Sequence, residues 1–352
     1  ELLEKAASAS YLVGVDSDAV EFQNRALAIY ENDGDRLRYG NGLRLRSRYY
    51  WSAGAFEPSR QDAEAAVKDL SGFRSAELAM AYSNAAQVHM LNRKYRSVRE
   101  PAEAAIELAG ELEKPDILSH ALNNLACALQ YTDPDRARRN MDRSLKIALE
   151  IGQVDHAARA FVNATYVEMY LGQFDAAKAF ATRGIFYCKT HELDGSLVYL
   201  TGALGLAELG LGELEAAGRS ARAAISRANN FDVGLYRHSG SLALLRYQVR
   251  TGVPLDPDEI AYPDSFRSDG SEIQRLIPYA ECIAEQAWMT GEDLENSIDL
   301  LEAAIEWAPA PEIAQSAYVW LRRLDAGHAS PDFDGFLACN RFELKGDIEA
   351  AD

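Results

Sequence analysis

Residues Asp155 to Cys188 read DHAARAFVNATYVEMYLGQFDAAKAFATRGIFYC, and this stretch decides the fold. Ala158, Phe161, Val162, Tyr166 and Met169 recur at helical spacing over Asp155 to Leu171, with few breakers among them. Gly172 then stops the helix, because it accepts a left-handed backbone without a Cβ clash. Phe174 and Asp175 lead into a second, alanine-rich helix over Ala176 to Cys188. The next segment repeats the plan: a helix over Leu197 to Leu211, a turn at Gly212, and a helix over Glu215 to Ala228. Runs of alternating β-branched residues between turn dipeptides are nearly absent, so strands are not expected.

Working outward, the same unit recurs along the whole chain. Turn positions fall at Gly14, Gly54, Asn92, Asp133, Gly172, Gly212, Gly252 and Gly291, in steps of 40, 38, 41, 39, 40, 40 and 39. A second ladder runs through Leu27, Val67, Ile106, Leu145, Ile185, Ile225 and Ile305 with the same period, its last step doubled. Two independent ladders of one period mean stacked supersecondary units. Small residues fall at matching offsets: Ala177, Ala181 and Gly184 after Gly172, and Ala217, Ala221 and Ala224 after Gly212. Side chains of that size let helix axes approach to roughly 8–9 Å. The expected fold is all-α, a right-handed α-solenoid of tetratricopeptide-like helix-turn-helix repeats.

One unit breaks the plan. After Gly252 come Pro254, Pro257 and Pro263, which remove backbone donors and oppose a regular helix. An irregular segment is expected at about 253–268, with a helix resuming over Ser271 to Met289. The expected domain is thus a single superhelix over 1–352 of about eight to nine helical pairs. The start lies within a helix, and Gly346 to Ala351 resembles Gly172 to Ala177. The sequence is therefore expected to be a fragment of a larger protein.

Composition narrows the function. The net charge is −18 over 352 residues, with a pI near 4.8, which argues against a surface broadly suited to phosphate backbones. No direct nucleic-acid contact by this piece is expected. No signal peptide or membrane span is visible, and a cytoplasmic location is expected. Cys127, Cys188, Cys282 and Cys339 form no CxxC pair and read as buried, reduced thiols. The six histidines show no metal-binding spacing, and the acidic stretch Asp256, Asp258, Glu259, Asp264 lacks that of a calcium loop. No phosphate-cradling loop, nucleophile elbow or catalytic constellation is present, so neither enzyme activity, a metal nor a cofactor is expected.

Several stretches carry a family resemblance: Glu21 to Tyr30 (EFQNRALAIY), Ala79 to Ala86 (AMAYSNAA), Ser119 to Ala126 (SHALNNLA), His156 to Ala160 (HAARA), Ile273 to Pro278 (IQRLIP) and Ala284 to Trp288 (AEQAW). With the repeat, they resemble the tetratricopeptide region of large LuxR-type ATP-dependent transcriptional regulators, relatives of the maltose-responsive activator among signal-transduction ATPases. The resemblance implies an ATPase module before this region and a helix-turn-helix after it. It also implies a sensor role for the helical part. ATP and DNA are not assigned to these 352 residues.

In such a stack the first helix of each unit is expected to line the concave side. Candidate binding residues there are Arg44, Arg48, Trp51, Asn84, Gln87, Asn123, Gln130, Arg159, Tyr166, Tyr170 and Arg246. Arg36, Arg38, Arg44, Arg46 and Arg48 crowd together in an acidic chain, and Arg44 and Arg48 share a helix face. They read either as a solvated face paired with acids or as guanidinium forks for a carboxylate or phosphate. Asn84, Asn123, Asn124 and Asn163 recur at equivalent positions, although Asn is a poor residue inside a helix. They either tie adjacent helices together or grip a peptide backbone or sugar hydroxyls. The tyrosines and tryptophans are either core or stacking surfaces.

Two functions follow: a sensor domain that binds a small effector or partner protein, or a stand-alone scaffold that binds a peptide or helix. In the first, a ligand spanning several repeats shifts the array between curvatures, with the proline-rich unit as hinge. Contacts with other domains of the same polypeptide and a homodimer through the solenoid ends are further expectations.

Overall fold

The computed structural model describes residues 1–12, 15–230, 234–253, 273–308 and 314–324. Sixteen α-helices follow one another among the described residues, with no strand: α1 (Leu2–Leu12), α2 (Asp16–Asp33), α3 (Arg36–Ser52), α4 (Phe56–Leu70), α5 (Ala76–Leu91), α6 (Tyr95–Glu111), α7 (Pro115–Leu129), α8 (Pro134–Glu150), α9 (Val154–Tyr170), α10 (Phe174–Thr190), α11 (Asp194–Gly210), α12 (Leu214–Asn230), α13 (His238–Thr251), α14 (Ile273–Thr290), α15 (Leu294–Glu306) and α16 (Gln315–Leu324). A short 3₁₀ turn, Gly234–Arg237, precedes α13. The proline-rich segment expected to be irregular lies, apart from Val253, outside the described residues, as do Gly14, Cys339 and the end of the chain.

The helices end where the turn ladder says they end. Gly54, Gly172, Gly212, Gly252 and Gly291 all take left-handed φ angles between 67° and 77°. At the third turn the ladder is off by one residue. Asn92 has φ −83°, and Arg93 takes the left-handed position at φ 54°. Helix starts are fixed by side chains where the sequence supplies them. Asp35 accepts from the Arg38 amide at 3.0 Å, Ser75 from Leu78 at 3.3 Å, and Asp133 from Arg136 at 3.0 Å.

The chain divides into two compact units, the first taking in Glu1–Val167 and the second Glu168–Phe231 together with residues from Leu235 onward. In the first, along the run from α1 to α8, each helix packs on the next, and the first helices of successive pairs also touch: α3 on α5, and α5 on α7. Leu27, Leu43, Leu70, Leu78 and Ile117 form one apolar core there, and Val98, Leu125 and Leu129 another. In the second unit α11 lies on α13 as well as on α12, and α14 on α16 as well as on α15. The small residues do what their size requires. Ala177, Ala181, Ala217, Ala221 and Ala224 are fully buried. A Cβ at Gly202 of α11 would stand 2.3 Å from the backbone nitrogen of Gly240 in α13, so this crossing admits glycine only.

Candidate functional site

The first helices of the Glu1–Val167 unit carry most of the polar residues singled out above. Of the five crowded arginines, three are paired with acids. Arg36 bonds Asp69, and Arg38 lies 3.5 Å from Asp35. Arg46 grips Asp62 through two bonds of 2.6 and 2.8 Å and reaches Asn24 at 2.7 Å. Arg44 and Arg48 behave differently. Arg48 donates to Gln87 Oε1 and to the Tyr11 hydroxyl, each at 3.2 Å. Arg44 makes one hydrogen bond, from Nε to Asn41 Oδ1 at 2.9 Å, and among the described residues no carboxylate lies within 4 Å of it. Burial and the neighbouring Arg48 charge draw its pKa down to about 10. Within one crowded stretch, then, the paired-face reading fits Arg36, Arg38 and Arg46 and fails for Arg44.

The asparagines reach backwards by one repeat. Asn84 Nδ2 donates to Ser47 Oγ at 3.1 Å, Asn124 Nδ2 to the Ser83 carbonyl at 2.8 Å, and Asn163 Nδ2 to Asn123 Oδ1 at 2.5 Å. These bonds link α5 to α3, α7 to α5 and α9 to α7, so the amides tie adjacent first helices. Asn123 spends its own amide on Met141 Sδ at 3.4 Å. Arg159 donates to Asn124 Oδ1, which extends the network to the fourth first helix.

Within this network sits a histidine pair whose members lie on different helices. The rings of His120 on α7 and His156 on α9 lie 5.3 Å apart, and Ser83 Oγ is 2.7 Å from His120 Nδ1. The signal in the sequence is their separation of 36 residues, close to one repeat, which spacing within a single helix does not reveal. Burial pushes the pKa of both rings down, and the charges of Arg159, Arg48 and, for His120, Arg44 push the same way. Both are therefore neutral imidazoles at pH 7. His156 Nδ1 is buried without a hydrogen-bond partner, as is the indole nitrogen of Trp51 in the last turn of α3.

The remaining candidates lie around or away from this layer. Gln130 is buried at the C-cap of α7. Tyr166 is half-buried on α9, and Tyr170, further along the same helix, is exposed and belongs to the second unit. Arg246 also belongs to the second unit, where it bonds Glu281 Oε2 at 2.8 Å and Cys282 Sγ at 3.2 Å. Cys127, Cys188 and Cys282 are buried, and burial pushes each thiol up to about 11, so they stay protonated and unreactive. Among the described residues no group of three or more His, Cys, Asp or Glu converges on a metal position. No helix there is long and apolar enough to cross a membrane.

No protein-family model matches the chain, and no curated protein matches its sequence. Solved structures do match its fold. A Rap protein complexed with competence and sporulation factor superposes with a TM-score of 0.58 at 14% identity, covering 92% of this chain and 95% of that one. The apo form of RapI gives 0.54 at 11% identity, over 92% and 98%. A signal-transduction ATPase with a tetratricopeptide repeat sensor, from Pyrococcus horikoshii, covers 99% of this chain and 47% of its own, but its TM-score of 0.48 is too low to bear on the fold. At such identities the Rap structures speak to architecture alone, and that architecture is the tetratricopeptide-type all-α solenoid.

Proposed function

We propose that this chain is a non-catalytic regulatory module whose first helices in the Glu1–Val167 unit bind a peptide or small effector. The observation that carries the reading is the polar layer built from Arg44 and Arg48 on α3, Gln87 on α5, His120 on α7 and His156 and Arg159 on α9. Four helices from four repeats supply it, so a ligand held there bridges repeats and favours whichever arrangement of them it binds best. Arg44 and the unpartnered indole and imidazole nitrogens offer donors at little cost in existing bonds. The Rap protein of similar fold is complexed with competence and sporulation factor, which supports a binding use for this scaffold. The likeness of Ser119 to Ala126 and the other quoted stretches to LuxR-type regulators supports a place in a multidomain transcription regulator.

A thermal-shift screen of the chain against short peptides, sugars, nucleotides, amino acids and phosphorylated metabolites tests the reading. A ligand at 100 times its Kd stabilises by about 2.7 kcal/mol. The expected result is a hit that Arg48→Ala or Trp51→Ala removes. A hit insensitive to every substitution on α3, α5, α7 and α9 sinks the proposal and moves the site elsewhere.

A further inference from the structure

We propose that α1 and α2 form a releasable pair that opens from α3 as one unit, and that the buried amide of Gln23 sets how readily it opens. Gln23 stands on α2 with no exposed surface, and neither its Nε2 nor its Oε1 meets a hydrogen-bond partner in the protein. A buried amide without a partner favours any state in which water reaches it. Other second helices keep this position apolar. Four residues before the apolar ladder they carry Ala63, Ala102, Met141, Ala181 and Ala221, all buried. Opposite Gln23, α3 presents Gly42, where a Cβ would lie 2.8 Å from Leu27 Cδ2 and 3.0 Å from Gln23 Nε2. The glycine makes room for the amide and offers it no side-chain partner.

The ties between first helices also change at this boundary. Asn84, Asn124 and Asn163 each bond one first helix to the one before it. One repeat before Asn84 stands Arg44, which bonds Asn41 of its own helix and feels Glu4 of α1 only through space. What holds α1 and α2 to α3 includes the bonds from Arg48 to the Tyr11 hydroxyl and from Arg46 to Asn24, and an apolar cluster in which Ala7 and Ala19 join Tyr49. These contacts keep the pair closed, and the unmatched amide lowers the free energy of its opening below that of the repeats that follow. Tyr11 travels with the pair, so opening takes a partner from Arg48 and alters the proposed binding face. Only this last link rests on the binding reading, because the opening itself needs no ligand.

The test is native-state hydrogen–deuterium exchange of the full chain without ligand, corrected for intrinsic amide rates. The amides of α1 and α2 should exchange through one shared opening, about tenfold or more faster than those of α5 to α8. Gln23→Met keeps the volume and supplies the residue type that α8 carries at the equivalent Met141. It should slow exchange in both helices about tenfold, equivalent to about 1.4 kcal/mol, and leave α5 to α8 unchanged. Gln23→Leu, which also removes the amide, should act in the same direction. The proposal is overturned if α1 and α2 exchange no faster than α5 to α8, or if α1 exchanges alone while α2 stays protected. It is equally overturned if neither substitution slows the two helices, the outcome expected of an amide that an ordered water already satisfies.

Discussion

Asn124 shows how much one buried amide does here. Its nitrogen satisfies the Ser83 carbonyl and its oxygen accepts from Arg159, in a residue with no exposed surface. Asn124→Ala removes both of these buried bonds, and a stability loss of about 2 kcal/mol is expected in urea denaturation. The buried histidines set the response to acid. Both His120 and His156 have folded pKa values depressed below the unfolded value near 6.5. The neutral rings thus favour the fold fully above about pH 6.5, and that contribution is lost as pH falls through the depressed values. Melting temperature should drop between about pH 7 and about pH 5, and drop less when both residues are Gln. The sequence made the asparagine positions legible because they recur at the repeat period. Whether they tie helices or hold a ligand was not legible, since both uses need the same side chain at the same register. Nor could the sequence separate Arg44 from Arg46, because the partner that distinguishes them, Asp62, comes from α4 across a turn.

Turns were the most legible elements, and their exceptions are instructive. Glycine takes the left-handed position at most of them, but Arg93, Glu113, Glu192 and Asp293 occupy it at φ 54–57°. A side chain there costs about 1–2 kcal/mol over glycine. Glu113→Gly and Glu192→Gly should each raise stability by about 1 kcal/mol, read as a shift in the urea midpoint. No composition rule finds these positions, because the repeat register rather than residue type holds the backbone there. Helix spans read from periodicity were close: the helix expected over Asp155 to Leu171 spans Val154–Tyr170, and that over Leu197 to Leu211 spans Asp194–Gly210. The early start of α11 is not visible in apolar spacing, since Asp194, Gly195 and Ser196 carry none. The meeting of α11 with α13 at Gly202 and Gly240 is a contact between repeats, and residue spacing within one helix does not report it. Gly202→Ala forces a Cβ onto backbone atoms, so a loss of about 3 kcal/mol is expected, whereas alanine at the exposed helical Gly110 should raise stability by about 0.5–1 kcal/mol.

At the scale of the whole chain, the 40-residue period carries the fold because each unit buries its apolar face only against its neighbours. Ion pairs follow the same register: Arg74 with Glu111, Arg136 with Glu103, Lys178 with Glu213, Arg227 with Asp194 and Arg250 with Glu285 each span about one repeat. Most are half-exposed and each contributes little, yet together they show where the acidic excess is used. In the first-helix layer of the Glu1–Val167 unit, by comparison, Arg44 and Arg159 donate to asparagine oxygens and Arg48 donates to Gln87 and the Tyr11 hydroxyl. The account stands on that layer being the binding surface. Hydrogen–deuterium exchange of the full chain, with and without a ligand from the screen, tests it most directly. Protection concentrated in α3, α5, α7 and residues 154–167 of α9 is predicted. Protection confined to α4, α6 and α8, or to helices beyond α9, would contradict it.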